Sequence, residues 1–262
     1  MIRAENLSFK YNGGEVLKNI NISFKPGAVT GIIGPNGCGK TTLLKNISKQ
    51  LSISEKTVFV EGVDIKKMGS LEIAKKIALV NQNNYIAFEF TAIDVVLMGR
   101  FAHLKRFQRE SREDVAIAYE CMRKTNTFEF KDKLVRELSG GELQRVMIAR
   151  ALCQKADIIL LDEPVSQLDI HHQMEIMHII KEASINEGLS VIMVLHDLNL
   201  AAQYSDEIIL MKNGGVFKKG PPAEVINKPN IEHVYSVRPE IIKNPVTGRP
   251  FIIYYDNFSN QI

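Results

Sequence analysis

The chain has 262 residues, 45% of them hydrophobic and 24% charged, with a formal net charge of +3. So small an excess, with Lys and Arg interleaved among Asp and Glu, excludes the one-signed surface of a charge-driven nucleic-acid binder. No apolar run approaches the roughly 20 residues of a membrane span, Met1 to Asn6 lacks a signal-peptide core, and Cys38, Cys121 and Cys153 share no metal spacing; the expectation is a cytoplasmic chain with free thiols.

Ile2, Leu7 and Phe9, then Val16, Leu17, Ile20, Ile22 and Phe24, alternate with polar residues on either side of Asn12-Gly13-Gly14. That pattern predicts an antiparallel hairpin. Ala28 to Ile33 reads as a buried strand, followed by a glycine-rich turn and a helix over Lys40 to Lys49. Thr57–Val60 and Ile77–Val80 are further strands. From Thr91 to about Lys155 helical patterns dominate, as in Glu110 to Arg123, with Val115, Ala118 and Met122 on one face. Strands and helices then alternate: Asp157 to Leu161, Ile170 to Ala183, Ser190 to Leu195, Leu198 to Tyr204 and Glu207 to Met211. Such alternation predicts an α/β fold with a parallel sheet covered on both faces. Beyond Pro221 the chain is Pro-punctuated and carries no clear period.

Gly34-Pro35-Asn36-Gly37-Cys38-Gly39-Lys40-Thr41, with Thr42 next, follows a strand and opens a helix. Its glycines let backbone N–H groups turn inward around phosphate oxygens, and the helix aims its positive end at the same anion. Lys40 supplies an ammonium to the β- and γ-phosphates of ATP, and the Thr41 hydroxyl suits Mg2+, a hard ion. Cys38 is expected to lie beneath the phosphates, within reach of maleimide until nucleotide covers it. The apolar strand Ile158–Leu161 ends in Asp162 and Glu163. At the carboxyl end of a parallel strand, Asp162 can reach the magnesium shell and Glu163 can polarise the attacking water. A third motif, Leu138-Ser139-Gly140-Gly141-Glu142, opens a helix with Leu143, Met147 and Ala151 four residues apart. It reads as a second anion site with exposed N–H groups, or as a capping box between Ser139 and Glu142, or both.

These three motifs, in this order, resemble the nucleotide-binding subunit of an ATP-binding-cassette (ABC) transporter, from Ile2 to about Pro222. The resemblance implies a phosphate-loop NTPase fold: a RecA-like, mostly parallel sheet core, an N-terminal antiparallel β subdomain and a helical subdomain over about residues 90–155. The ATPase domain spans residues 1–237, and residues 238–262 form a short tail. By resemblance Tyr11 stacks on adenine, although packing on Phe9 is the competing reading. Gln82 and His196 sense the γ-phosphate, and Gln82 also joins Thr41 and Asp162 at the metal. Asp169, in Ser166-Gln167-Leu168-Asp169, faces the opposite subunit. The family pattern further implies a head-to-tail homodimer holding two ATP molecules between the phosphate loop of one copy and Ser139, Gly140 and Gly141 of the other.

His171, His172 and His178 read as a solvated helix face. His171 and Glu175 have a metal-compatible spacing but no third ligand in sight. In this family the subunit sits at the cytoplasmic face of the membrane, where the segment Asn83 to Arg106 faces two membrane permease subunits, and a substrate-binding protein is an indirect partner. Here Val95-Val96-Leu97-Met98-Gly99-Arg100 and Asp169-Ile170-His171-His172-Gln173 look like importers of iron–siderophore, haem or cobalamin type. Ser52 to Lys56 departs from the family's usual turn, a loop matter. Cassettes of iron–sulfur assembly or nucleic-acid-linked type are the alternative. No coiled-coil heptads interrupt this chain, and nucleic acid is not expected as a partner.

Overall fold

Alternation in the first residues buries Ile2, Ala4 and Leu7 while their neighbours face outward. The computed structural model describes residues 1–11, 13–82 and 89–255. Its elements in chain order begin with β1 (Ile2–Tyr11), β2 (Gly14–Ser23), β3 (Val29–Ile33), α1 (Lys40–Ile47), β4 (Val58–Val60) and β5 (Val63–Asp64). Next come α2 (Ser70–Lys76), β6 (Ile77–Val80), α3 (Ala92–Leu97), α4 (Arg112–Lys124), α5 (Gly140–Cys153), β7 (Ile158–Asp162) and α6 (Ile170–Glu187). The chain continues with β8 (Ser190–Val194), α7 (Leu198–Tyr204), β9 (Glu207–Lys212), β10 (Gly215–Gly220), α8 (Pro222–Val225), α9 (Lys228–Tyr235), β11 (Glu240–Lys243) and β12 (Pro250–Ile253).

Two units share these elements. The first comprises Met1–Lys66 and Ile192–Ile262. Its antiparallel sheet has the order β2-β1-β4-β5, so the expected hairpin is present, closing at Tyr11 opposite Gly14; Asn12 lies outside the described residues. The hairpin's register shifts between Ala4 and Leu7, where Asn6 has φ 48 and its N–H donates to Asn21 Oδ1 at 2.9 Å. Asn tolerates that left-handed backbone better than most residues. In the same unit β10, β9, β3 and the end of β8 form a second sheet, with β3 parallel to β9. Val29, Ile32, Ile33 and Ile208 to Met211 are buried, as expected of strands covered on both faces. Antiparallel β10 and the β11–β12 hairpin are elements that the sequence pattern did not reveal.

The second unit is Lys67–Val191. There β7 lies between the start of β8 and β6, with Val80 opposite Leu161 in a parallel register. Helix α5 departs from the expected amphipathic stripe. From Arg145 to Ala149 and from Ala151 to Cys153 every residue is buried, whereas Leu143 is only half-buried. It is the unit's central helix, with α3 and α4 packed on it. Helix α4 also differs from expectation: Asp114, not Val115, takes the buried face. The reason is an ion pair with Arg100 at 2.8 Å, and the Ser111 hydroxyl and Arg100 together hold the Asp114 carboxyl down at about 2. Helix α6 runs on to Glu187 and stops at Gly188, whose φ of 66 provides a left-handed C-cap.

Candidate active site

In the first unit β3 runs straight into the phosphate loop. Gly34, Gly37 and Gly39 have φ of 152, 77 and 101. A Cβ on Gly39 would stand 2.8 Å from Leu17 Cδ2 and 3.0 Å from Val16 O, so both space and backbone demand glycine there. Gly39 is also the N-cap of α1 and offers no side-chain cap; no acidic residue occupies the helix's first turn. The leading N–H groups of α1 therefore meet no carboxylate of their own helix, which suits an incoming anion. Lys40 Nζ is buried and donates to Gly34 O at 2.7 Å and Pro35 O at 3.1 Å, folded across the loop. Thr41 and Thr42 follow on the first turn, half-buried and buried. Asn36 and Gly37 are exposed at the crest.

His196 belongs to the same unit. Leu195 N donates to Ile32 O at 3.0 Å, so the end of β8 lies beside the end of β3, and exposed His196 stands at the sheet edge from which the loop springs. Asp197 caps α7 by accepting from Asn199 N at 2.7 Å and Leu200 N at 3.0 Å. Tyr11, at the end of β1, is 43% exposed and meets Phe9 edge to face at 4.9 Å. Tyr11 is thus packed on Phe9 and partly accessible.

In the second unit the parallel register of β6 and β7 brings Gln82 and Glu163 to the same strand ends, and Gln82 Nε2 donates to Glu163 Oε2 at 2.6 Å. Glu163 has φ 52, a left-handed conformation costing a non-glycine residue about 1 kcal/mol or more. Asp162, the last residue of β7, is buried. Ser139, Gly140 and Gly141 open α5. The capping box is real: Ser139 Oγ accepts from Glu142 N at 3.3 Å, and Glu142 Oε2 accepts from Ser139 N at 2.7 Å. The Ser139 backbone and hydroxyl hold the Glu142 carboxyl below the usual range. Of the two glycines, a Cβ on Gly141 would stand 3.0 Å from the His172 ring, while Gly140 has nothing within 4 Å. Asp169 caps α6, with Oδ1 accepting from His172 N at 3.0 Å.

The ABC transporter family profile matches residues 17–166, which span the phosphate loop, the Ser-Gly-Gly helix and the Asp162–Glu163 strand. This chain belongs to the ABC transporter family. It is 36% identical over 260 residues to the iron(3+)-hydroxamate import ATP-binding protein FhuC of Bacillus subtilis, across 99% of this chain and 97% of that one. It is 36% identical over 252 residues to the ferric enterobactin transport ATP-binding protein FepC of Escherichia coli, across 96% of this chain and 93% of that one. A solved ATP-binding cassette, a dimer in a post-hydrolysis state bound to ADP and phosphate, superposes with a TM-score of 0.73 at 31% identity, covering 84% of this chain and 98% of that chain. The chain is an ABC-type ATPase, and ATP is its substrate.

Several details of this ABC cassette differ from the sequence reading. Cys38 is buried, its Sγ turned in against Gly34, and burial pushes its thiol up. The expected reaction with maleimide is therefore disfavoured. Within the importer-like string, Val95, Val96, Gly99 and Arg100 are buried. A Cβ on Gly99 would collide with Arg150 O, and Arg100 Nη1 donates to Cys153 O at 2.9 Å, so Gly99 and Arg100 serve the packing of α5. Phe101, 56% exposed, remains at the surface, and residues 83–88 of the segment lie outside the described residues. Glu175, paired in sequence with His171, instead accepts from Arg145 Nη1 at 2.7 Å and Asn126 Nδ2 at 2.9 Å. One contact had no sequence signal. His172, read as solvated, is bound to Asp169 and packed on Gly141.

Proposed function

We propose that this chain is the ATP-hydrolysing subunit of an importer for a metal chelate of the iron–siderophore, haem or cobalamin type. The observation that carries the proposal is the full-length likeness to FhuC, which extends through the tail as well as the cassette. The chain works as a head-to-tail homodimer at the cytoplasmic face of a membrane, with two permease subunits and, through them, a substrate-binding protein. No helix of the described residues is long and apolar enough to cross a membrane, so the transport path belongs to those partners. Residues 1–237 form the cassette, its helical part near 90–155, and 238–262 the tail.

Each site residue has a role in this reading. Gly34 to Thr42 cradle the phosphates, with Lys40 on the β- and γ-oxygens, while Tyr11 stacks on adenine and His196 contacts the γ-phosphate. The Thr41 hydroxyl, the Asp162 carboxylate and the Gln82 side-chain carbonyl would hold Mg2+, since all three are hard oxygens of the kind it takes. Gln82 donates through its amide nitrogen to Glu163, so its carbonyl oxygen is the atom that would serve the metal. Bound magnesium supplies charge neutralisation between the phosphates. Glu163, oriented by Gln82, polarises the attacking water. Ser139, Gly140 and Gly141 approach the partner's nucleotide, with Asp169 beside them.

Glu163→Gln should retain ATP binding, lose about 100-fold or more in turnover, and accumulate an ATP-bound dimer in gel filtration. Retained hydrolysis removes Glu163 from the role of base. Affinity purification of the tagged chain from its own cells should bring down a polytopic membrane protein; recovery of the chain alone or with nucleic acid counts against the importer reading.

A further inference from the structure

The loop after β7 and the N-terminus of α5 lie far apart in sequence, yet one side chain touches both. His172, in the first turn of α6, is held to Asp169 twice. Its backbone N–H donates to Asp169 Oδ1 at 3.0 Å, and its ring Nδ1 lies 2.8 Å from Asp169 Oδ2. An ionised carboxylate only accepts, and the two His172 contacts keep Asp169 ionised by lowering its pKa. Nδ1 therefore carries the proton, and the tautomer is set by Asp169. The other face of the ring closes on Gly141: a Cβ there would stand 3.0 Å from both Cγ and Cδ2 and 3.4 Å from Cβ of His172. The next residue completes the arrangement, for Gln173 Nε2 donates to Leu168 O at 2.8 Å and Val165 O at 3.2 Å. The whole turn from Val165 to Asp169 is thus held from the start of α6, and the imidazole passes its position on to α5.

We infer that His172 is a positioning residue that locks the Asp169 loop to the Ser139–Gly141 helix start, so that both present one rigid surface to the nucleotide bound by the second copy. The inference rests on the head-to-tail reading above. A side chain at the Gly141 position, adjoining exposed Ser139 and Gly140, would press on the ring. A planar side chain with a donor at the Nδ1 position is what the geometry requires. Asn can place its amide nitrogen near that point; Ala and Gln cannot.

The test uses the full chain and ATP. His172→Ala should lower the turnover number by about ten-fold, since small misplacements of groups that contact the reacting phosphate are costly. Nucleotide binding to the single chain, followed with a fluorescent ATP analogue, should change by less than about two-fold because the phosphate loop is untouched. His172→Asn should recover most of the turnover and His172→Gln little. In the Glu163→Gln background, His172→Ala should reduce the ATP-bound dimer seen by gel filtration at equal protein concentration. If Glu163→Gln alone forms no ATP-dependent dimer, the head-to-tail reading falls and the inference with it. If Glu163→Gln dimerises and adding His172→Ala changes neither dimer yield nor turnover, the inference alone is overturned. Equal rescue by Asn and Gln, or loss of nucleotide binding in step with turnover, also overturns it.

Discussion

Helix α1 is entered through Gly39, at φ 101, which caps nothing and precedes a first turn free of acidic residues. Helix α5 is entered through Ser139, whose capping box with Glu142 satisfies two backbone donors and places a carboxylate on the helix's positive end. Both starts are glycine-rich and both read, in sequence, as anion sites. Their chemistry is opposite. The first has no side-chain cap and adds the Lys40 ammonium. The second has already taken an internal anion, so its use lies in shape and in what a second copy brings to it. A glycine-rich helix start is therefore not by itself a phosphate site; what decides is whether the chain caps its own donors.

The sharpest way to break this comparison is to remove charge from one start and the cap from the other. Lys40→Ala should weaken ATP binding by about 100-fold, because charge-assisted hydrogen bonds to phosphate contribute roughly 1.5–3 kcal/mol each. Ser139→Ala should leave nucleotide affinity of the isolated chain within about two-fold, since its hydroxyl serves Glu142 N, and cost about 1 kcal/mol of stability instead. Calorimetric titration and thermal unfolding read the two effects separately. Equal losses of affinity would erase the distinction.

Acid provides a smaller, finer probe. Glu142 has its folded pKa lowered, first by the Ser139 backbone hydrogen bond and then by the hydroxyl. A depressed carboxyl stabilises the fold above its unfolded pKa of about 4.3, and that contribution fades as pH falls through the folded value. The stability gap between wild type and Glu142→Gln should be constant above about pH 5, at most about 1 kcal/mol given the solvent screening of this group, and should close below pH 4. Helix α1 has no acid in its first turn, so no such step should attach to the phosphate loop. A gap that widens in acid would mean that Glu142 is not the cap's anion.

How much was visible beforehand follows the range of the interactions. The hairpin, the strand before Gly34, the loop and the Asp162–Glu163 strand end depend on residues adjacent in sequence, and local period and glycine spacing report them. Gln82 and Glu163 are 81 positions apart, and their hydrogen bond follows only once β6 and β7 are paired in parallel. The all-round burial of α5 was hidden because Arg145 and Glu142 break the apolar pattern; Arg145 is buried through its pair with Glu175, a tertiary fact. Asp114 hid in the same way behind Arg100. The tail was opaque because its hairpin is tied down by side chains that bond backbone, as when Arg249 Nη1 donates to Ser205 O at 2.7 Å and Asn199 Oδ1 accepts from Ile252 N at 2.7 Å. Such contacts leave no periodic trace.

The two adjacent glycines of α5 offer the subtlest test. In sequence they looked like one feature with one cost. The structure separates them, since a methyl on Gly141 meets the His172 ring and a methyl on Gly140 meets nothing among the described residues. Gly140 does not need a left-handed backbone, so alanine is compatible there. Gly140→Ala should leave the isolated chain unchanged or up to about 0.5 kcal/mol more stable, because alanine favours helix and restricts the unfolded chain. Gly141→Ala should cost about 1 kcal/mol, as the ring must give way in a tightly packed place. Turnover should nonetheless fall in both, in Gly141→Ala through His172 and in Gly140→Ala through the approach of the second copy's nucleotide. A Gly140→Ala protein that is more stable and fully active would show that nothing outside the chain presses on that position, and α5 would then be an ordinary capped helix whose first glycine has no partner to meet.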